Sequence, residues 1–243
     1  MFITGQPFRL MPPVIKNLMI INGLFYLATH TFYTTFGIEL TYLLGLYFPA
    51  SDHFMPHQLF THMFMHGSFG HILSNMFMLW MLGSAMENYW GGKRFLTYYI
   101  LTGLGASALQ LGVNAIEYYN LIGGIDAIGM EVITREGLEA LRHGNYTNEV
   151  YAKMNSVINT PMVGASGAVF GVLLAFGMTF PNERIYLNFL FPIKAKYFVM
   201  GYGAIELFNG FSNSGGNIAH FAHLGGMLFG YLLIKKWRSN RYV

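Results

Sequence analysis

The sequence predicts an all-α membrane protein, a compact bundle of six spanning helices, and three observations carry that expectation. Of 243 residues, 53% are hydrophobic and only 10% are charged, far below the roughly 25% charge of soluble domains. Six apolar stretches, 14–36, 69–89, 95–115, 161–180, 197–211 and 218–234, approach the ~20 residues that cross a bilayer. The basic residues fall on alternate connections, as the positive-inside bias requires.

Each stretch has its own boundary signals. Residues 1–13 hold no apolar core of the kind a cleaved signal peptide carries, so the first stretch is expected to be retained. The loop that follows, 37–61, mixes apolar residues with Pro49, Asp52, His53 and Pro56, a composition suited to the headgroup region. Lys93 and Arg94 separate the second and third stretches, and Arg184, Lys194 and Lys196 separate the fourth and fifth. The fifth is the shortest. Arg9 and Lys16 precede or enter the first helix, and Lys235, Lys236, Arg238 and Arg241 close the chain. The opposite loops hold only Arg135, Arg142 and Lys153 of the 14 basic residues. Both termini are therefore expected in the cytoplasm, and the expected location is a bacterial inner membrane. The chain reads as a single domain, 1–243, with an outer loop insertion at about 116–160. Within it Val150, Met154, Val157 and Ile158 share one helical face, as an amphipathic surface helix would.

Composition also excludes functions. The chain has no cysteine, so it makes no disulfide, thiolate zinc site or cysteine nucleophile. Its net charge of +3 sits in short clusters beside apolar runs instead of a patch, which argues for membrane topology and against nucleic acid.

Strongly polar groups inside spans are costly and mark function by default. If the fourth helix begins near Thr160, Ser166 lies about 9 Å below the outer face at 1.5 Å per residue. His223 enters the sixth helix from the same side, and His71 and Asn75 share one face of the second by their spacing of four. Glycines at small-xxx-small spacing, Gly167 with Gly171 and Gly226 with Gly230, form packing stripes, with Gly164 beside the first. Packing stripe on stripe brings the Ser166 hydroxyl to the His223 imidazole, the contact that activates a serine nucleophile. The Ser166 N–H, His71 and Asn75 then supply donors to an oxyanion. No acid is placed by sequence to orient His223, so a Ser–His dyad is expected. His220 is expected only to pack, Glu206 to make a local hydrogen bond or gate contact, and Glu87 to cap a helix or pair with Lys93 and Arg94. His53, His57, His62, His66 and His71 offer an alternative, metal or haem ligation, but no membrane carboxylate accompanies them.

These motifs, HMFMHGSFGHILSN, GSAMEN followed by GGKRF, GASGAVFG and AHFAHLGG, occur in order along nearly the whole chain. In that combination the sequence resembles the rhomboid family of intramembrane serine proteases. The resemblance implies Ser166 as nucleophile, His223 as general base and acid, and His71 with Asn75 as oxyanion support. It further implies a six-helix core, a first outer loop embedded in one leaflet, a fifth helix beside a lateral opening, transmembrane protein substrates within the lipid bilayer, and no cofactor or metal. Three features depart from the family pattern. His57 and Gln58 stand where many members carry an aromatic–Arg pair, Phe170 stands where some have Tyr against the imidazole, and the 116–160 loop is long. A catalytically inactive helix-binding relative and a transporter are the competing classes. The joint presence of Ser166 and His223 argues against the first, and the confinement of polar residues to the outer half argues against the second.

Overall fold

The computed structural model describes residues 8–187, 191–212 and 220–239. Helix α1, Pro13–Phe36, starts on a proline, whose missing N–H costs nothing at a helix start. Its next two N–H groups donate to the Glu87 carboxylate, Val14 at 3.0 Å and Ile15 at 2.8 Å. Glu87 thus caps a helix from a different element. Its neighbour Asn88 exchanges hydrogen bonds with the Arg9 backbone at 3.0 and 2.8 Å. The GSAMEN motif therefore docks the first helix.

The loop after α1 contains α2, Leu40–Leu44, and α3, Gln58–Thr61, the latter running into a 3-10 turn at His62–Phe64. Gln58 is fully buried. Its amide donates to His53 O at 2.8 Å and its carbonyl accepts from Met55 N at 3.1 Å, while His57 Nε2 bonds Leu43 O at 2.8 Å. The two residues that depart from the family pattern are the ones that fasten this loop.

Helix α4, Phe69–Met78, continues through a π turn at Leu79–Gly83 into α5, Ser84–Trp90, so the expected second stretch is one rod. Helix α6, Gly92–Leu121, is longer than expected at both ends. The insertion then folds as a hairpin of α7, Ala127–Arg142, and α8, Glu149–Asn159. The expected face of α8 is inward, with Met154 and Ile158 packed on Ile133 of α7. Helix α7 was not anticipated. Asn155 and Asn159 donate to Gly137 O and Ile133 O, both at 2.9 Å. Ser51 Oγ reaches Asn159 Oδ1 at 3.3 Å and Arg142 reaches Glu39 at 2.9 Å. The insertion is bound to the first loop.

The fourth stretch is helical only from Ser166, as α9, Ser166–Thr179. Strands β1, Arg184–Leu187, and β2, Phe191–Lys194, pair antiparallel with Arg184 opposite Lys194. They form a small hairpin that the all-α expectation omitted. Helix α10 spans Ala195–Ser212 and α11 spans His220–Ser239. The expected start at 218 lies outside the described residues.

Helix α11 packs chiefly on α6 and α9. At Gly226 a Cβ would collide with the Gly167 carbonyl. The expected stripe contact is therefore met at this pair alone. Gly171 faces Thr102 and Gly230 faces Tyr98, both on α6. The three helices share a core with Phe95, Tyr98 and Leu173, whereas Leu27, Met200, Phe208 and Phe211 are exposed on the outer faces of α1 and α10. Among the described residues, one helical stretch, Gly92–Gly124, is both long and apolar enough to cross a membrane.

Two predictions follow from this packing. Gly226→Ala should cost about 1–3 kcal/mol by forcing α9 and α11 apart. Gly23→Ala, with nothing within 4 Å of the added methyl, should leave stability unchanged or raise it by up to roughly 1 kcal/mol. Thermal unfolding in one detergent compares them. The second concerns His62, buried with Nδ1 2.7 Å from Gln58 O. Burial lowers its pKa, and that of His66, from 6.5 to about 4. The unfolded chain takes up these protons first, so their contribution is complete above about pH 6.5 and is lost as pH falls toward about 4. The unfolding midpoint should drop between about pH 7 and about pH 5, and drop less in His62→Gln. An equal drop in the variant would assign the acid sensitivity elsewhere.

Candidate active site

The backbone leading to Ser166 is extended and clamped. Met162 forms a two-way bridge with Leu46, N to O at 2.9 and 2.8 Å, and Gly164 N donates to His62 O at 2.9 Å. Gly164 has φ +129, a conformation side chains rarely adopt, and a Cβ there would sit 2.9 Å from the His71 ring. Gly164 is therefore a turn residue against His71, not the helix-packing glycine expected. Ser166 is the first residue of α9, not six residues into a helix, so the helical-rise estimate of its depth does not hold. The first-turn N–H groups of α9, that of Ser166 among them, have no intrahelical partner and are free to donate to a group in the cavity.

His223 lies in the first turn of α11, one turn before Gly226. Its Nε2 is 2.9 Å from Ser166 Oγ. Phe170, on the next turn of α9, stacks on its ring at 4.1 Å with an interplanar angle of 4°. Phe170 thus stacks on the imidazole from the position where some family members have Tyr, and the Tyr202 ring of α10 meets it edge-on at 5.8 Å.

The expectation that no acid reaches His223 is overturned. Glu206 extends from α10, is 7% exposed, and brings Oε2 to 2.9 Å from His223 Nδ1. The same oxygen is 2.7 Å from His220 Nδ1. The His220 contact is a well-aligned hydrogen bond. The His223 contact has ion-pair distance, but the Nδ1–H direction is not aligned on the oxygen. His220 is thus a partner of the carboxylate and more than a packing residue. Sequence reasoning missed this because Glu206 and His223 are on different helices with no spacing rule to link them. The available signal was the acid itself, unexplained in an apolar segment.

His71 and Asn75 open onto the same cavity as Ser166 and His223, a space of about 760 Å³. His71 N is held by the Ser68 side chain at 3.2 Å, fixing the start of α4. Its ring meets His66 edge-on at 5.0 Å. Asn75 is buried, and its Nδ2 has no partner among the described residues. A buried amide donor without an acceptor costs free energy unless something in the cavity accepts from it. The histidines offered as alternative ligands are dispersed, His57 and His62 each bonding a loop carbonyl. The nearest approach to a metal-ligand set among the described residues is Glu206, His220 and His223, with donor atoms within 4.8 Å of one another.

Comparison with known proteins identifies the family. A family model described as Rhomboid domain matches residues 53–239. The chain is 28% identical over 189 residues to "RHOMBOID-like protein 12, mitochondrial" of Arabidopsis thaliana, covering 76% of this chain and 48% of the relative. It is 26% identical over 171 residues to "Rhomboid protein 1, mitochondrial" of Saccharomyces cerevisiae, covering 70% and 38%, and 27% identical over 177 residues to "RHOMBOID-like protein 1" of Arabidopsis thaliana, covering 72% and 33%. The chain spans about half or less of the length of these curated relatives. Two of them are named mitochondrial, which lends no support to the expected bacterial inner membrane. A family match running from the first loop to the last helix, and taking in every cavity residue described above, shows that this chain belongs to the rhomboid family.

Proposed function

We propose that the chain is an intramembrane serine endopeptidase that hydrolyses peptide bonds in or near transmembrane segments of other proteins. The observation that carries this reading is the 2.9 Å contact between Ser166 Oγ and His223 Nε2 beside Asn75 Nδ2, a buried amide donor without a partner among the described residues. His223 Nε2 takes the hydroxyl proton as Oγ attacks the scissile carbonyl. The oxyanion receives hydrogen bonds from the Ser166 N–H, Asn75 Nδ2 and His71. His223 then returns the proton to the leaving amine, and water releases the acyl group by the same steps reversed.

The membrane setting, with six spans formed by α1, α4–α5, α6, α9, α10 and α11, belongs to the same proposal. Its support is the outward apolar surface of α1 and α10, where Leu27, Met200, Phe208 and Phe211 are exposed, more apolar surface than a soluble monomer leaves uncovered. The short α9 fits as well. Non-helical backbone at membrane depth is tolerated where it lines a water-filled cavity, and residues 160–164 line this one. Both termini then lie on the Lys- and Arg-rich side. A non-catalytic helix-binding role needs neither the hydroxyl nor the imidazole.

Ser166→Ala and His223→Ala should each abolish cleavage of a model single-span substrate in proteoliposomes, with losses that do not add. Substantial cleavage by either purified variant removes the assignment. Asn75→Ala should lower kcat on the order of 10²-fold with KM little changed. A change confined to KM would put Asn75 in substrate binding. A paired substrate helix shields its carbonyl, so substrates with Gly, Ala or Ser at the cut and a nearby Gly or Pro should be preferred. Replacing those residues by Leu and finding equal rates would show that unwinding does not select substrates.

A further inference from the structure

A serine–histidine pair leaves one question open, namely what holds the imidazole in the productive tautomer. Nε2 accepts the Ser166 proton only if the ring proton resides on Nδ1, and an Nδ1–H turned away from the cavity needs an acceptor. Phe170 fixes the plane of the ring by stacking. Stacking leaves the choice of tautomer unsettled, because the phenyl face has no acceptor for an in-plane N–H.

We propose that Glu206 is a positioning residue for His223, so that Ser166, His223 and Glu206 work as a hydroxyl–imidazole–carboxylate triad, with His220 holding the carboxylate in place. The proposal rests on the hydrolase reading above. Four observations carry it. Glu206 Oε2 lies 2.9 Å from Nδ1, on the ring edge opposite the Ser166 contact. The carboxylate is 7% exposed in a helix whose neighbours Ile205, Leu207 and Phe208 are exposed hydrophobics, so it is the polar residue turned inward. An uncompensated carboxylate there would be strongly unfavourable. His220 Nδ1 donates to the same oxygen at 2.7 Å, and both histidines sit in the first turn of α11, three residues apart. A carboxylate between two imidazoles is thus tethered by His220, and its reach to His223 does not depend on its own rotamer alone. The incomplete alignment of the second contact matches substrate-free sites, where catalytic hydrogen bonds tighten only when the reacting complex forms.

During attack Ser166 Oγ bonds the scissile carbon as the carbonyl π bond breaks to an oxyanion, the Oγ proton moves to His223 Nε2, and the imidazolium lies between the new Oγ–C bond and the Glu206 carboxylate. Glu206 stays ionised and takes no proton. Its effect is on the chemical step, since it touches neither substrate nor oxyanion.

The test compares wild type, Glu206→Gln and Ser166→Ala in proteoliposomes. Glu206→Gln keeps the shape but loses the charge, and its amide can donate where Nδ1–H must. Its kcat should fall about 10²-fold or more with KM within about twofold, at an unfolding midpoint close to wild type. Unchanged kcat would overturn the proposal. Because this variant could fail to fold, a second measurement uses wild type alone. Nitrogen chemical shifts of ¹⁵N-histidine-labelled protein, with His223 assigned from His223→Ala, should give the Nδ1–H tautomer. An Nε2–H ring overturns the proposal without any Glu206 variant. Chelators should leave wild-type cleavage intact, whereas loss restored by zinc would reassign Glu206, His220 and His223 as metal ligands. If wild type does not cleave at all, the hydrolase reading fails, and the tautomer measurement still decides whether Glu206 orients His223.

Discussion

The contact between Gly226 of α11 and the Gly167 carbonyl of α9 sets every distance in the cavity. Two helices approach this closely only where no Cβ intervenes, and the approach leaves Ser166 one residue before the crossing and His223 one turn before it. The 2.9 Å hydroxyl–imidazole separation is thus a property of backbone packing. Helix α6 backs the crossing, with Ala106 against Gly167 and Gly225, and Thr102 against Gly171. The long central helix therefore contributes rigidity to the site without contributing a reactive group.

The loops complete what the helices begin. Ser166 needs its helix to start abruptly, and the Leu46–Met162 bridge with the left-handed Gly164 makes that start. Through Gln58, Ser51 and Asn159 the same loop is tied to the α7–α8 hairpin. The insertion is therefore fastened to the segment that presents the nucleophile, which connects a remote surface element to the cavity by an unbroken set of hydrogen bonds.

Much of this was legible in the sequence, and the misses have physical reasons. Apolar run length found the rods, because burial in an apolar environment selects composition over many residues; the ends of the first, second and fifth agree closely, whereas the third and the sixth run on past their expected C-terminal ends, to Leu121 and Ser239. The fourth failed at its start because residues 161–163 are as apolar as a helix yet lie outside it, held by the Leu46–Met162 bridge, and the chain turns at Gly164 before the helix begins. Helix α7 was missed because few of its apolar residues are inward, chiefly Met130 and Ile133, and they form a thin stripe among charges. Ser166, His71, Asn75 and His223 were legible because polar groups stand out against an apolar background. Glu206 stood out equally, but its meaning depends on which helix α10 faces, and hydropathy does not encode azimuth. Stripe reading likewise identified the glycines without their neighbours, so Gly171 and Gly230 turned out to meet α6.

The central claim is that the fold activates one hydroxyl, Ser166, through His223. Fluorophosphonate treatment of the protein in native-like membranes, followed by mass spectrometry of the peptides, tests it without any assumed substrate. The account predicts a single adduct on the peptide containing Ser166, absent after His223→Ala. Labelling that survives His223→Ala, or an adduct on another serine, would contradict it.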